Sequence, residues 1–233
     1  MNTITLQNVE ALEFRTQEAF KTLRSNIRFC GANIKTIAVT STIPNEGKSS
    51  VALHLAMSMA EVGDKVLFID ADMRKSVLVG KYRVGHVTEG LTNYLSGQEE
   101  WDDCLCETED ENLQCVFAGP VPPNPCELVD NEIFTNKIAE LREEYDYVII
   151  DTPPIGSVID GAVIASVCDG AVMVIESGKI SYRQIKKTKE QLEKSGVRIL
   201  GTVLNKVDNM SSGYYGKKYN DYYGSYYGKS EGK

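Results

Sequence analysis

Thr36-Ile37-Ala38-Val39-Thr40, followed by Thr42-Ile43-Pro44-Asn45-Glu46-Gly47-Lys48-Ser49, is an apolar run that leads into a Gly-Lys-Ser turn. The first five residues read as a buried strand. Beyond the turn, Ser49 to Val62 distributes Val51, Leu53, Leu55, Met57 and Met59 around a predicted helix that ends near Gly63. A loop between a strand and a helix is the setting that phosphate binding requires. Backbone N–H groups of the loop and of the helix start can surround phosphate oxygens. Lys48 would neutralise the β and γ phosphates, and the Ser49 hydroxyl is placed to meet Mg²⁺. Asn45, Glu46, Gly47 and Ser50 complete the nucleotide-contact candidates. Thr42 stands where the usual pattern has its first glycine, so the motif alone is imperfect.

The rest of the chain supplies the context. Val66 to Ile69, Leu113 to Phe117, Val148 to Ile150, Ala171 to Ile175 and Val197 to Leu204 read as further strands. Cys126 to Glu143 and Ser181 to Lys194 read as helices, the second closed by Gly196. Short apolar runs interleaved with helices predict an α/β fold with a doubly wound, mostly parallel sheet covered on both faces. Asp70-Ala71-Asp72 ends one predicted strand and Asp151 another. Ligands in such sheets bind beyond the carboxyl ends of the strands. A single aspartate there could merely cap the next helix. Three of them, together with a phosphate loop, favour a nucleotide site. Asn205-Lys206-Val207-Asp208 has the form of a guanine-reading loop; the alternative reading is that it ends a strand and lines a base pocket, with Asn205 near the nucleotide.

Before the first strand, Asn8 to Phe29 is an amphipathic helix in this reading, with Phe14, Ala19, Phe20, Leu23 and Ile27 as its apolar positions. Gly119-Pro120-Val121-Pro122-Pro123-Asn124-Pro125 is expected to be extended, because each proline fixes φ and restricts its predecessor. At 233 residues the chain fits one large domain with appendages. The division expected is an N-terminal helix for subunit contact (1–33), a nucleotide-binding domain (34–208) and a tail (209–233). A net charge of −8 argues against a general nucleic-acid binder. Glu99, Glu100, Asp102, Asp103 and the run 107–111 read as a solvated face. Six cysteines without a CxxC pair, and with no histidine near them, read as free thiols. His54 and His86 receive no role. The polar first 18 residues do not resemble a signal, and no apolar run reaches membrane-span length.

The tail contains Tyr214, Tyr215, Tyr219, Tyr222, Tyr223, Tyr226 and Tyr227, separated by glycine and polar residues without a period of 2 or 3.6. Such a segment buries too little apolar surface to offset chain entropy and is expected to stay mobile, with its phenols accessible. Its side chains balance to +2, with Lys217, Lys218, Lys229 and Lys233 against Asp221 and Glu231. A nucleotide site combined with exposed tyrosines points to a kinase acting on its own kind.

Nearly the whole chain resembles the cytoplasmic bacterial tyrosine kinases of capsular and exopolysaccharide synthesis, the type separate from its membrane activator. The residues that carry the resemblance are Glu18 to Asn26, the phosphate loop with Pro44, and Ile69-Asp70-Ala71-Asp72-Met73-Arg74-Lys75. Gly90 to Leu95, Gly119 to Pro125, Asp151-Thr152-Pro153-Pro154, Gly201 to Lys206 and the tyrosine tail complete it. The resemblance implies a P-loop fold, ATP and Mg²⁺. It gives Lys48 and Ser49 the Walker A contacts, and Asp151 the Walker B carboxylate. Asp70 would lie near the metal, and Asp72 would be the base for the tyrosine hydroxyl. Metal-contact candidates are therefore Ser49, Asp70 and Asp151. The tail tyrosines become acceptors in neighbouring copies. Glu18, Lys21 and Arg24 match a subunit-contact motif, with Lys21 replacing an arginine and unable to form a bidentate fork. The resemblance also implies a ring-like homo-oligomer, a separate membrane activator of the polysaccharide co-polymerase type, a cognate phosphotyrosine phosphatase, and a cytoplasmic location at the inner face of the membrane. Ser76 replaces the usual proline, with no chemical consequence evident from sequence. Cell-division and partition ATPases of the same superfamily compete, but they typically carry a lysine where this chain has Ile43. A regulator of polysaccharide polymerisation that uses nucleotide only as a switch is the other alternative.

Overall fold

The computed structural model describes residues 2–7, 12–85 and 88–207. Its centre is an eight-stranded sheet. The strands are β1 (Asn2–Thr3), β2 (Thr36–Ser41), β3 (Val66–Asp70), β4 (Cys106–Glu107), β5 (Leu113–Val116), β6 (Tyr147–Asp151), β7 (Gly170–Glu176) and β8 (Ile199–Asn205). They lie in the order β1-β4-β5-β3-β6-β2-β7-β8. Every neighbouring pair is parallel except β4 with β5. All residues of β2 and β3 are buried. A strand covered on both faces must be apolar throughout rather than alternating, which is why the quoted run is so uniform.

The helices are α1 (Phe14–Phe29), α2 (Lys48–Ala60), α3 (Leu78–Lys81), α4 (Leu91–Leu95), α5 (Trp101–Cys104), α6 (Pro125–Val129), α7 (Glu132–Glu144), α8 (Asp160–Ser166) and α9 (Tyr182–Lys194). Successive strand residues point to opposite faces of the sheet, and the two cores divide accordingly. Ile37, Val39, Phe68, Ile149 and Val172 pack with Val51, Leu55 and Met59 of α2. Leu67, Ile69, Val148 and Ile150 pack with Phe134, Ile138 and Leu141 of α7 and with Ile164 of α8. The sheet is thus doubly wound, as the sequence predicts.

Several boundaries differ from the expectation, the strand expected over Val197 to Leu204 among them, which runs Ile199–Asn205. The first helix begins at Phe14, because Glu13 has an extended backbone and serves as the N-cap position. Its apolar set is narrower than expected. Ile27 is buried and Phe20 and Leu23 pack on the core, while Phe14 and Ala19 are exposed. The expected helix 126–143 is two helices. The chain breaks at Asp130–Asn131, where the Asn131 side chain accepts a hydrogen bond from the Phe134 N–H and starts α7. Pro125 does not end an extended segment but opens α6 at its first position, where its missing N–H costs nothing. The N-terminal segment also joins the sheet, since β1 pairs with β4 and Ile4 lies in the core. The tail tyrosines, Asp208 and His86 lie outside the described residues.

Candidate active site

The carboxyl ends of β2, β3 and β6 lie side by side because β6 sits between the other two. In register, Asp70 pairs with Asp151, and Val39 with Asp151. The phosphate loop leaves β2 at this point. Its tight path uses positive φ at Asn45 (68°) and at Gly47 (90°). Glycine is favoured at 47 by its backbone, and a side chain there would have to displace a neighbour. The backbone is left-handed, and an added Cβ would come within 2.2 Å of the Asn205 amide nitrogen.

Lys48, the first residue of α2, is buried at the centre of the site. Its ammonium donates to Asp72 Oδ2 at 3.0 Å, to Asp151 Oδ1 at 3.3 Å and to the Ser49 hydroxyl at 3.2 Å. Burial alone would lower its pKa, but the Asp151 and Asp72 carboxylates outweigh that and the net shift is upward. Burial raises the Asp151 carboxyl, opposed by Lys48 and by a hydrogen bond from Ser49. Asp70, fully buried, is pushed to about 7 by burial and then by the charge of Asp151. The structure therefore brings Lys48, Ser49, Asp70, Asp72 and Asp151 together.

The remaining nucleotide candidates divide. The Glu46 side chain is fully buried and turned away from any phosphate, accepting hydrogen bonds from the N–H of Ile43 at 2.7 Å and of Glu176 at 3.0 Å. It ties the loop to the end of β7, so only its backbone is left for contact. Asn205 donates to the Glu46 carbonyl at 2.9 Å, and Lys206 to the Asn45 carbonyl at 2.6 Å. Both hold the loop from the end of β8. The Ser50 hydroxyl accepts from Lys81 at 2.6 Å. Sequence reasoning missed Lys81 because it lies on a four-residue helix with no motif around it. It also missed Ser76, whose hydroxyl donates to Asp70, contrary to the expectation of no consequence. The Arg74–Asp160 ion pair, which joins the segment after β3 to the start of α8, carried no signal at Asp160 beyond a lone helix-start aspartate.

The donor set fits the group it would serve. A hydroxyl and two carboxylates are hard oxygen ligands of the kind Mg²⁺ takes alongside phosphates. Thr42 Oγ1, at the start of the phosphate loop, is buried and has no hydrogen-bond partner among the described residues. The expected subunit-contact residues are split. Glu18 and Lys21 pair with each other at 2.7 Å on the exposed face of α1, while Arg24 reaches inward to the Ser58 hydroxyl at 3.1 Å on α2. A cavity of about 600 Å³ between α1, α2 and residues 108–113 is lined by none of the phosphate-site residues.

A family model described as an AAA domain matches residues 34–199. The tyrosine-protein kinase CpsD of Streptococcus agalactiae is 46% identical over 209 residues, which cover 88% of this chain and 91% of that protein. The chain belongs to the bacterial tyrosine-protein kinases of capsular and exopolysaccharide synthesis. The kinase domain of the Escherichia coli tyrosine kinase ETK superposes on this kinase with a TM-score of 0.81 at 26% identity, covering 92% of this chain and 93% of that one. The septum site-determining protein MinD of Pyrococcus horikoshii, solved with Mg-ADP, gives 0.66 at 25% identity over 76% of this chain and 72% of that one. The fold is thus a P-loop nucleotide-binding fold shared with the cell-division ATPases, while the enzyme is a tyrosine kinase. Among the described residues, no helix of this kinase is long and apolar enough to cross a membrane.

Proposed function

We propose that this kinase transfers the γ-phosphoryl group of ATP to the tyrosines of its own tail, in a neighbouring copy, and thereby regulates polysaccharide synthesis and export. The observation that carries this reading is the buried Lys48 ammonium, shared between Asp72 and Asp151 beside the phosphate loop. Seven tail phenols supply acceptors, Tyr214 to Tyr227. Lys48 neutralises the transferring phosphates. Ser49, Asp70 and Asp151 hold Mg²⁺, which when bound supplies charge neutralisation on the phosphate oxygens. Asp72 takes the phenol proton. A free phenol has a pKa of about 10, so the base assists only as charge leaves in the transition state, and positioning supplies most of the rate.

The same proposal assigns Glu18, Lys21 and Arg24 to contacts in a ring of copies, with residues 1–33 serving assembly and 209–233 serving as substrate. A membrane activator of the co-polymerase type completes the site at the inner face of the membrane, and a phosphotyrosine phosphatase reverses the modification. The test is incubation with labelled ATP, with and without the activator's cytoplasmic segment, followed by mapping of phosphotyrosine. Label confined to residues other than Tyr214 to Tyr227 would overturn the proposal. One observation keeps guanine in play, namely the hold of Asn205 and Lys206 on the phosphate loop. Calorimetry decides this point: tight GTP binding with negligible ATP binding would make the kinase a GTP user.

A further inference from the structure

Asp70 ends β3 fully buried, and the chain then wraps around its carboxylate. Oδ1 accepts the Asp72 N–H at 3.1 Å. Oδ2 accepts the Ser76 hydroxyl at 2.5 Å, six residues further on. Between these two bonds the loop is held by Asp72, whose Oδ1 accepts the Lys75 N–H at 3.1 Å and whose Oδ2 meets Lys48. The Ala71 N–H donates to the Asp151 carbonyl at 2.8 Å. After Ser76, Leu78 is buried and anchors α3. The residue Ser76 is exposed, so it adds little by packing. Its contribution is the inward hydrogen bond. Proline, which the resemblance places at this position, could stiffen such a loop through its fixed φ but has no hydroxyl to offer. This chain closes the loop by a different device.

We infer that Ser76 is a positioning residue of this kinase, its hydroxyl fixing the Asp70 carboxylate, and the Asp72 loop with it, in the orientation that receives the Mg²⁺-nucleotide. The inference rests on the proposed metal role of Asp70 and deepens it. Ser76 itself touches neither nucleotide nor acceptor. Asp70 would hold an ion through the carboxylate lone pairs that Ser76 and the Asp72 N–H leave free. Loss of the hydroxyl frees the carboxylate to rotate about its terminal bond and loosens the loop at its far end.

The experiment measures binding of a fluorescent ADP analogue to the full chain, with Mg²⁺ and with EDTA. Ser76→Ala should reduce the Mg²⁺-dependent gain in affinity by about threefold to tenfold, the equivalent of one hydrogen bond of ordinary net strength. Affinity in EDTA should be unchanged, since Lys48 and the loop N–H groups remain. Ser76→Thr, which keeps the hydroxyl, should restore the gain. In an Asp70→Asn background, Ser76→Ala should add nothing further, because the two residues act through one bond. A purely structural role would lower affinity equally with and without Mg²⁺, and that result overturns the inference. So does an undiminished Mg²⁺ gain in Ser76→Ala when the parent shows one. A parent that binds no better with Mg²⁺ fails at an earlier step and removes the metal reading as well.

Discussion

At the scale of single residues, the chemical role proposed for Lys48 is joined to a structural one. Its ammonium offsets the buried Asp151 and Asp72, in addition to the proposed contact with the phosphates. Lys48→Met should therefore abolish tyrosine phosphorylation and also cost about 3 kcal/mol of stability, because a buried carboxylate loses its cation. Anti-phosphotyrosine blotting and thermal melts on the same preparation check both halves. An unchanged phosphotyrosine yield would remove Lys48 from the site. Asp72→Asn is expected to keep nucleotide binding measurable and to slow transfer by about 10²–10⁴, the range for loss of a general base. Single-turnover kinetics with saturating ATP measure this directly, and an unaffected rate would move the base role elsewhere. The residues that gather at the phosphate loop were legible in the sequence because each sits at a strand end or in a glycine-marked loop. Those that hold them were not. Ser76, Lys81 and the Glu46 carboxylate act through contacts whose partners lie on other elements or turn inward, and a single sequence gives no sign of that.

At the scale of elements, the end of the sheet opposite the site is fixed by one carboxylate. Asp169, just before β7, accepts the N–H groups of Lys35 and Thr36 at 2.9 Å each, the Thr36 hydroxyl at 3.0 Å, and Arg142 of α7. Burial would raise its pKa. The hydrogen bonds from Thr36, Lys35 and Arg142 prevail, and the carboxyl lies below its usual range. For a depressed carboxylate, the stabilisation is present above the unfolded pKa, about 3.9, and is lost as pH falls through the folded value. Asp169→Asn should therefore be less stable than the parent near neutral pH. The gap in urea midpoint should narrow below about pH 4. A gap constant with pH would mean that the charge of Asp169 contributes nothing. The central strands and α2 and α9 were readable because their apolar runs or caps are local. The break at Asp130–Asn131 was not, since a capping asparagine inside an apolar-periodic stretch looks like an exposed helix position. Two-residue β1 and β4 are too short to show any period, and only their pairing with each other and with β5 makes them strands.

At the scale of the whole molecule, the proposed function ties catalysis to assembly through charge. The kinase carries −8 overall, while its tail side chains balance to +2. An unmodified tail is thus electrostatically suited to approach a neighbour's site, where Asp70, Asp72 and Asp151 are clustered. Each phosphotyrosine adds about −1.5 to −2 charges, so seven would add roughly −10 to −14. On the proposed function, a tail so modified would be repelled by those carboxylates and by the acidic body of a neighbouring copy. On the exposed face of α1, Glu18 and Lys21 already pair within one chain, so exchange of partners across a subunit boundary gains little net energy. A contact of that strength can be reversed by a change of this size in tail charge. Unphosphorylated kinase should therefore assemble, and extensive tail phosphorylation should dissociate it. Replacing all seven tail tyrosines with phenylalanine should keep the assembly intact with ATP present while ATP hydrolysis persists. Light scattering on the parent before and after phosphorylation, and on the phenylalanine variant, tests the coupling. Equal masses in all three states would show that the tail is a substrate without control over assembly. Because salt screens the repulsion between like charges, and the ion-pair exchange contributes little net energy, the dissociation should also require less phosphorylation as ionic strength is lowered, when repulsion between tail and body is at its longest range.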